Sequence, residues 1–373
     1  MIVSYLAVGF YNDQKKIKDN TLKIVALIVS LILIILTAYS GYYFYKEISS
    51  QAQGYVPSSY NQQWQKAMEW VRNNTAEDAV FGHWWDYGYW LQSIGERATI
   101  LDGGNAISYW NHLMGRHALT GTNNRDSLEF LYAHKATHFL IDSTDIGKYT
   151  AFSSIGSDIK YDRRSWISVF LRDQNQVEET KSSTLHVYTG GTTVDEDIIY
   201  EENGSRIFLP EGQSGLAALI IERDSAGKVL TAPIGVFVYK NEQYRLPLRY
   251  AFSNGEFMDF GKGIESGIFF FPNVKEGSIE LEGALLYLSK RTVKSQLARL
   301  YLYKENNPNF KLVHSEDDFV VTQLKAMNPA VGDIVFLGGV RGPIRIWEID
   351  YPVDIELKEE YLSEEYPEEL YYA

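Results

Sequence analysis

Residues 81–90 read Phe-Gly-His-Trp-Trp-Asp-Tyr-Gly-Tyr-Trp, so three tryptophans, two tyrosines and one carboxylate fall within a few positions. Aromatic rings offer stiff apolar area, and indole N–H groups offer donors. A carboxylate enclosed by them loses solvation and needs a partner. Two arrangements satisfy this. In one, the stretch to Trp85 is a core strand and Asp86 caps a helix. In the other, Trp84, Trp85, Asp86, Tyr87 and Gly88 make a recognition pocket in which Asp86 awaits a hydrogen-bond donor from a ligand.

Other polar groups compete for a chemical role. Asp145 and Lys148 lie three apart, on one face if the segment is helical; otherwise they are an N-cap and a surface cation. His134 and His138, and His112 and His117, have spacings of interest for zinc. A predicted change from helix to strand between His134 and His138 spoils that geometry. His83 is expected to shape the Trp pocket. Asp195-Glu196-Asp197 looks like the acidic pair that holds a divalent cation on a phosphate, but between strands it reads as a solvated turn. Gly338–Gly342 lacks the lysine and the helix of a phosphate loop and reads as a hairpin turn. Asn73-Asn74-Thr75 and Asn203-Gly204-Ser205 are N-glycosylation acceptor sequences.

The elements that must position these groups can be read from periodicity. Ile24–Tyr45 is apolar and free of charge, and about 20 residues cross a layer of about 30 Å. Lys15, Lys16 and Lys18 precede it and tyrosines cluster at its far end, which leaves the chain beyond Lys46 outside the cytoplasm. Gln62–Arg72 has helical spacing. Ala79–Trp85 reads as a strand, Tyr89–Ile94 as a helix closed by Gly95, and Ala98–Leu101 as a second strand. Leu128–His134 reads as a helix, His138–Ile141 as a strand, and a helix starts at Asp142–Asp145. Alternation of this kind predicts an α/β core. After about Ser182, runs at 185–188, 198–200, 205–209, 215–221, 228–230, 235–239 and 243–248 are separated by Gly, Asn and Asp turns, as in a sandwich or barrel. Thr292–Tyr303 returns to helical spacing; 311–314, 333–337 and 344–349 are strand-like. The tail from Asp354 carries eight acidic residues against Lys358 alone and reads as a solvated, mobile end. The net charge of −13 argues against nucleic acid as a partner. The absence of cysteine removes disulfides and thiolate chemistry.

Trp84-Trp85-Asp86-Tyr87-Gly88 resembles in full the WWDYG motif of the catalytic subunit of oligosaccharyltransferase. Asp145-Ile-Gly-Lys148 resembles the DxxK element of archaeal and eukaryotic members. The resemblance implies that both elements bind the acceptor sequon Asn-x-Ser/Thr, with Asp86 reading the hydroxyl. The family pattern has an aliphatic residue or Met four after the lysine; here Phe152 takes that place in the acceptor-binding set. The motif selects an acceptor and supplies no catalysis at the amide nitrogen. A typical member begins with a membrane region of many spans, which carries the catalytic acids, holds Mg²⁺ or Mn²⁺ and binds the lipid-linked oligosaccharide. This chain resembles the C-terminal part only, so no catalytic or metal-binding residue and no cofactor is assigned to it.

The expected fold is mixed α+β. Residues 1–20 are a cytoplasmic loop with a remnant of a preceding span, 21–47 a membrane helix, and 48–61 a linker. Residues 62–182 form the core with the acceptor motifs, and 183–290 a β-rich module inserted in it or following it. Residues 291–352 complete the core, and 353–373 are an acidic tail. The implied function is acceptor recognition within a membrane glycosyltransferase of protein N-glycosylation, inactive alone, with a membrane partner subunit as one route to completion. The alternative is a membrane-anchored, non-catalytic protein that binds peptide or glycan outside the cell. An anchored glycoside hydrolase ranks last, because no carboxylate pair has suitable local context.

Overall fold

The computed structural model describes residue 12 and residues 16–55, 60–202, 204–253, 255–275, 278–367 and 370. It divides into two units, Met1–Asn61 and Gln62–Ala373. The span remnant expected at Met1–Tyr11 and Asn203 of the second sequon lie outside the described residues.

In the first unit a helix runs over Asn20–Tyr55. Of this, Asn20–Ala52 is long and apolar enough to cross a membrane. Its leucines, isoleucines and valines are exposed all round, as suits lipid rather than a protein core.

The second unit is built on two sheets. The smaller has five strands in the order Phe310–Glu316, Ile344–Ile349, His138–Ile141, Val80–Gly82, Ala98–Thr99. Val80–Gly82 pairs in parallel with both of its neighbours, and helices fill the crossovers, as parallel pairing requires. The predicted strand at Ala79–Trp85 therefore ends at Gly82, three residues before the Trp pair is complete. The helix after it spans Gly88–Ser93. Gly95 is not its left-handed stop; Glu96 takes that conformation, with φ 56°.

The larger sheet has ten strands and largely closes on itself. Running from Glu242–Ser253 through Ile234–Tyr239, Gly215–Arg223, Thr184–Thr193, Ser168–Glu179 and Ser278–Leu288 to Ile264–Lys275, it returns by a pairing of Ile264–Lys275 with Glu242–Ser253. Closure removes open edges. The interior is packed by Phe170, Tyr188, Leu219, Phe237, Leu246, Ile268, Phe270 and Leu285, among others. Its first strand begins at Ser168, upstream of the change of texture at 183. The outer half of that strand, Arg172–Glu179, is polar and mostly exposed, so it carries no apolar signature. Lys228–Leu230 forms only an isolated bridge through Val229. Where helical spacing is expected over Thr292–Tyr303, the chain makes a short helix, Lys290–Val293, and a π-helical turn, Ala298–Leu302, rather than one helix. Gly338–Gly342 is part of a hairpin, as expected, with Gly338 at φ 64°.

The acidic tail is docked rather than solvated. Lys358 Nζ lies 2.7 Å from Glu129 Oε2, and Arg125 bridges Glu129 and Asp354 at 2.6 and 2.9 Å. The Trp110 indole donates to the Ser363 carbonyl at 3.0 Å. Tyr361 is 5% exposed, with its ring against His117 and Phe130. Charge counting misses this, because the ion-pair partners lie far away in sequence and the other anchors are rings and carbonyls. Tyr361→Ala should cost roughly 3 kcal/mol of local stability, and limited proteolysis should then cut the tail at least about tenfold faster. An unchanged cleavage rate would show that other contacts hold it.

Candidate functional site

After Val80–Gly82 the chain leaves the sheet in extended conformation at Trp84 (φ −69°, ψ 140°) and turns tightly through Trp85–Tyr87. In such a 3₁₀ turn, residues three apart eclipse. Trp84 and Tyr87 therefore share the inward face, at 1% and 2% exposure, and Asp86 points outward. The predicted enclosed carboxylate is thus corrected: the Asp86 side chain is 39% exposed, at the rim of the aromatic cluster. Gly88 is required by close approach. A Cβ there would lie 2.5 Å from Asp102 Cα and the Leu101 carbonyl oxygen.

The inward rings interlock. Trp84 meets Trp85 and Phe152 edge-on, with centroids 6.1 and 5.5 Å away. Tyr87 stacks on Trp64 at 4.7 Å. Phe152 has no exposed surface, so here it is the floor beneath Trp84 and presents no face to a ligand. His83 is fully buried, and its Nδ1 lies 2.6 Å from the Trp84 carbonyl oxygen. Burial lowers its pKa to about 4, so at neutral pH the ring is uncharged and Nδ1 carries the proton toward that carbonyl. Its Nε2 and the Trp85 indole nitrogen have no hydrogen-bond partner among the described residues.

The helix Asp145–Ile155 brings the second motif to the first. Lys148 Nζ is 3.1 Å from Asp86 Oδ2 and 3.0 Å from the Tyr87 hydroxyl, and it sits 4.5 Å from the Tyr87 ring centroid. The lysine is neither a free surface cation nor buried, at 30% exposure. Asp145 is fully buried and is not the N-cap, a position held by Thr144. One of its oxygens accepts from the Tyr87 hydroxyl at 2.7 Å and the other from the Asp142 N–H at 3.0 Å. Burial, and next the charge of Asp142, push the pKa of Asp145 up to about 7. Asp142, also buried, accepts from the Thr144 N–H and hydroxyl, and burial raises its pKa too. The Thr144 hydroxyl is in turn 3.0 Å from that of Tyr87.

Trp84, Trp85, Asp86, Tyr87, Gly88, Asp145, Lys148 and Phe152 thus converge, in two layers. Asp86, Lys148 and the edge of Trp85 are accessible. Trp84, Tyr87, Asp145 and Phe152 form the support. Sequence reasoning missed Tyr87 as the link between the motifs, and with it Asp142, Thr144 and Trp64; a phenol five residues from a buried strand carries no periodic signal. Asp86 Oδ2 is held by Lys148, whereas Oδ1 has no partner among the described residues. The arrangement offers a fixed acceptor oxygen beside a cation and an indole.

The other candidates fall elsewhere. His112 Nδ1 faces the Ile155 carbonyl and His134 Nε2 the Tyr361 carbonyl. His138 stacks on Phe81. In Asn73-Asn74-Thr75 the threonine hydroxyl donates to the Val71 carbonyl and accepts from Arg97, so the fold itself has consumed it.

No family model matches the chain. Over 98 residues it is 34% identical to dolichyl-phosphooligosaccharide-protein glycotransferase 1 of Pyrococcus horikoshii, covering 26% of this chain and 10% of that protein. Over 249 residues it is 25% identical to glycotransferase 2 of Pyrococcus furiosus, covering 65% and 30%. The chain therefore spans only a minor part of the curated relatives it matches. Among solved structures, the Archaeoglobus fulgidus oligosaccharyltransferase AglB, in complex with an inhibitory peptide and a dolichol-phosphate, matches with a TM-score of 0.42 at 13% identity, over 93% of this chain and 38% of that one.

Proposed function

We propose that this chain, a relative of archaeal-type oligosaccharyltransferase subunits, supplies the acceptor-reading part of a membrane enzyme that moves a glycan from a lipid-linked donor to asparagine. The observation that carries this reading is the half-satisfied carboxylate of Asp86, with Lys148 on one oxygen and none of the described residues on the other. The hydroxyl of a Ser or Thr two residues after the acceptor asparagine donates to Oδ1. Lys148 holds the carboxylate in orientation, and Tyr87, tied to Asp145, holds Lys148. The Trp84 and Trp85 rings exclude water from one side. An acceptor without the hydroxyl leaves a partly desolvated carboxylate oxygen unpaired, at a cost of roughly 1–3 kcal/mol.

Transfer itself needs a cation at the leaving phosphate, and Mg²⁺ or Mn²⁺ would supply that charge. In this reading the metal and the donor lipid fall to the membrane region of the complete enzyme. On the same reading the helix Asn20–Ala52 anchors the chain, and the lysines before it support an extracytoplasmic location for residues 62–373.

The test uses two peptides, Asn-x-Thr and Asn-x-Val, titrated onto the full chain in lipid nanodiscs. Valine keeps the shape of threonine and lacks the hydroxyl. Tryptophan fluorescence should report binding of the Thr peptide at least about tenfold tighter. Equal affinities would remove the hydroxyl-reading role of Asp86.

A further inference from the structure

The helix Asp145–Ile155 is capped by Gly156, and the chain then makes a tight loop over residues 157–164 that the acceptor site does not use. The loop is closed on itself. The Asp158 carboxylate accepts from the N–H groups of Lys160 and Asp162 at 2.9 and 3.3 Å, and the Asp162 carboxylate accepts from the Asp158 N–H at 2.9 Å. The Arg163 N–H donates to the Ser157 hydroxyl, and the Arg291 guanidinium donates to the carbonyls of Tyr161 and Arg164. Asp162 also pairs with Arg116 at 3.0 Å and with Arg163 at 3.7 Å, so both acids of the loop are engaged by its own groups and by Arg116. Held in this way, Tyr161 has a φ of 56°. That left-handed conformation is an outlier for a bulky residue, and such strain is retained where a segment has a function. What the loop presents outward is mixed: Ile159 is 44% and Tyr161 47% exposed, with Lys160 and Arg164 exposed beside them. Neither of these two cations has an ion pair among the described residues; Arg164 only leans on Tyr161, 5.6 Å from the ring centroid.

We propose that this loop docks on the phosphate-bearing, anionic surface of the bilayer that holds the chain, with Lys160 and Arg164 at the headgroups and Ile159 and Tyr161 set between them. The proposal rests on the reading of Asn20–Ala52 as a membrane anchor. Exposed aliphatic and aromatic groups interleaved with unpaired cations are what a headgroup layer selects. Charge complementarity favours this element over the rest of the surface. The chain carries a net charge of −13, so an anionic surface repels its body, and a locally basic segment decides which face approaches. A polypeptide is the poorer partner. The N–H groups of Asp158, Lys160, Tyr161, Asp162, Arg163 and Arg164 are already bonded within the loop, which leaves side chains for recognition, and headgroups ask for nothing more. Two cations and two apolar side chains give weak affinity by themselves. Tethering to the same bilayer raises the effective concentration enough for weak contacts to hold. The consequence reaches the acceptor site. The Tyr149 hydroxyl donates to the Arg291 carbonyl at 3.2 Å, and Arg291 clasps the loop, so a docked loop fixes the helix that carries Lys148.

The chain has no cysteine, so Ile159→Cys takes up a single thiol-reactive NBD fluorophore. The labelled full chain is placed in nanodiscs of phosphatidylglycerol or of phosphatidylcholine, each with and without lipid that bears a nitroxide quencher at the headgroup. Quenching should be at least about twofold greater in phosphatidylglycerol. Lys160→Glu combined with Arg164→Glu replaces two exposed, unpaired side chains, so the fold is retained, and quenching should fall to the phosphatidylcholine value. Tyr161→Asn removes the ring and suits a left-handed φ; it should lower quenching at least about twofold without lowering the melting temperature. A second label at Tyr39→Cys, read with a nitroxide on the acyl chain, reports the anchor separately. Quenching at 39 without quenching at 159 overturns this proposal and leaves the anchor standing; quenching at neither overturns both. Quenching at 159 that is equal in the two lipids, indifferent to the charge reversal, or abolished by free inorganic phosphate at constant ionic strength also overturns the proposal.

Discussion

Asp86→Asn, introduced into an assembly that contains the membrane region, should lower kcat/KM for an Asn-x-Thr acceptor by about 10- to 150-fold. That range is the roughly 1.5–3 kcal/mol of a hydrogen bond to a charged group, converted at about 1.4 kcal/mol per tenfold. The fold should barely notice. Asp86 is 39% exposed and makes one ion pair, to a lysine 30% exposed, and such pairs contribute about 0–1 kcal/mol. The diagnostic quantity is the ratio of rates for Asn-x-Thr and Asn-x-Val. In the parent it is large; in the variant it should fall toward one, because the valine peptide never had the bond to lose. The loss should appear mainly in KM, since the hydroxyl is bound alike in ground and transition states. A ratio preserved in the variant would mean that some other group reads the hydroxyl.

The contents of the site were legible in the sequence, and its layering was not. Two tryptophans, an acid and a second motif with a lysine at helical spacing identify what meets what. They do not say which way a three-residue turn faces. The turn at Trp85–Tyr87 sends residues 84 and 87 inward together, so the carboxylate expected within an aromatic enclosure lies at its rim. The same limit holds for the strands. Ser205–Leu209, set off by turn residues, and Ile344–Ile349 were placed from sequence with the bounds observed. Ile264–Lys275 and Ser278–Leu288 were missed, although they are among the most buried strands. A strand covered on both faces reads as a continuous apolar run and loses its period. The acidic segments misled in the opposite sense. Counting charge takes Asp195 and the tail for solvated residues, whereas Ser165 and Ser289 meet Asp195, and Arg125 and Glu129 meet the tail, only through the tertiary fold.

Asp145 separates support from contact in the acceptor site, because it lies in the DxxK motif yet is fully buried. Its pKa stands at about 7 against an ordinary 3.8. A carboxyl whose folded pKa is raised contributes stability that is complete below the unfolded value and is lost as pH rises through the folded one. The window is therefore about pH 4 to 7, and each pH unit across it is worth roughly 1.4 kcal/mol. Asp145→Asn keeps an oxygen for the Asp142 N–H and has nothing to ionise. Its stability relative to the parent should rise from pH 5 to pH 7 and level off above about pH 7.5. His83 and His134 work in the opposite direction. Burial lowers both to about 4, so they withdraw stability as pH falls below about 6.5. The difference between the two proteins removes that background, and urea melts at four pH values measure it. A difference that does not vary with pH would place the proton elsewhere, with Asp142 the nearest alternative. The functional outcome is the sharper one. Asp145 reaches the rim only through Tyr87 and Lys148, so the variant should keep the Thr-over-Val preference within about threefold. Asp86→Asn should abolish that preference. If both variants abolished it, Asp145 would have to exchange its bond with Tyr87 for one with the acceptor. That would require the helix Asp145–Ile155 to move when the peptide binds.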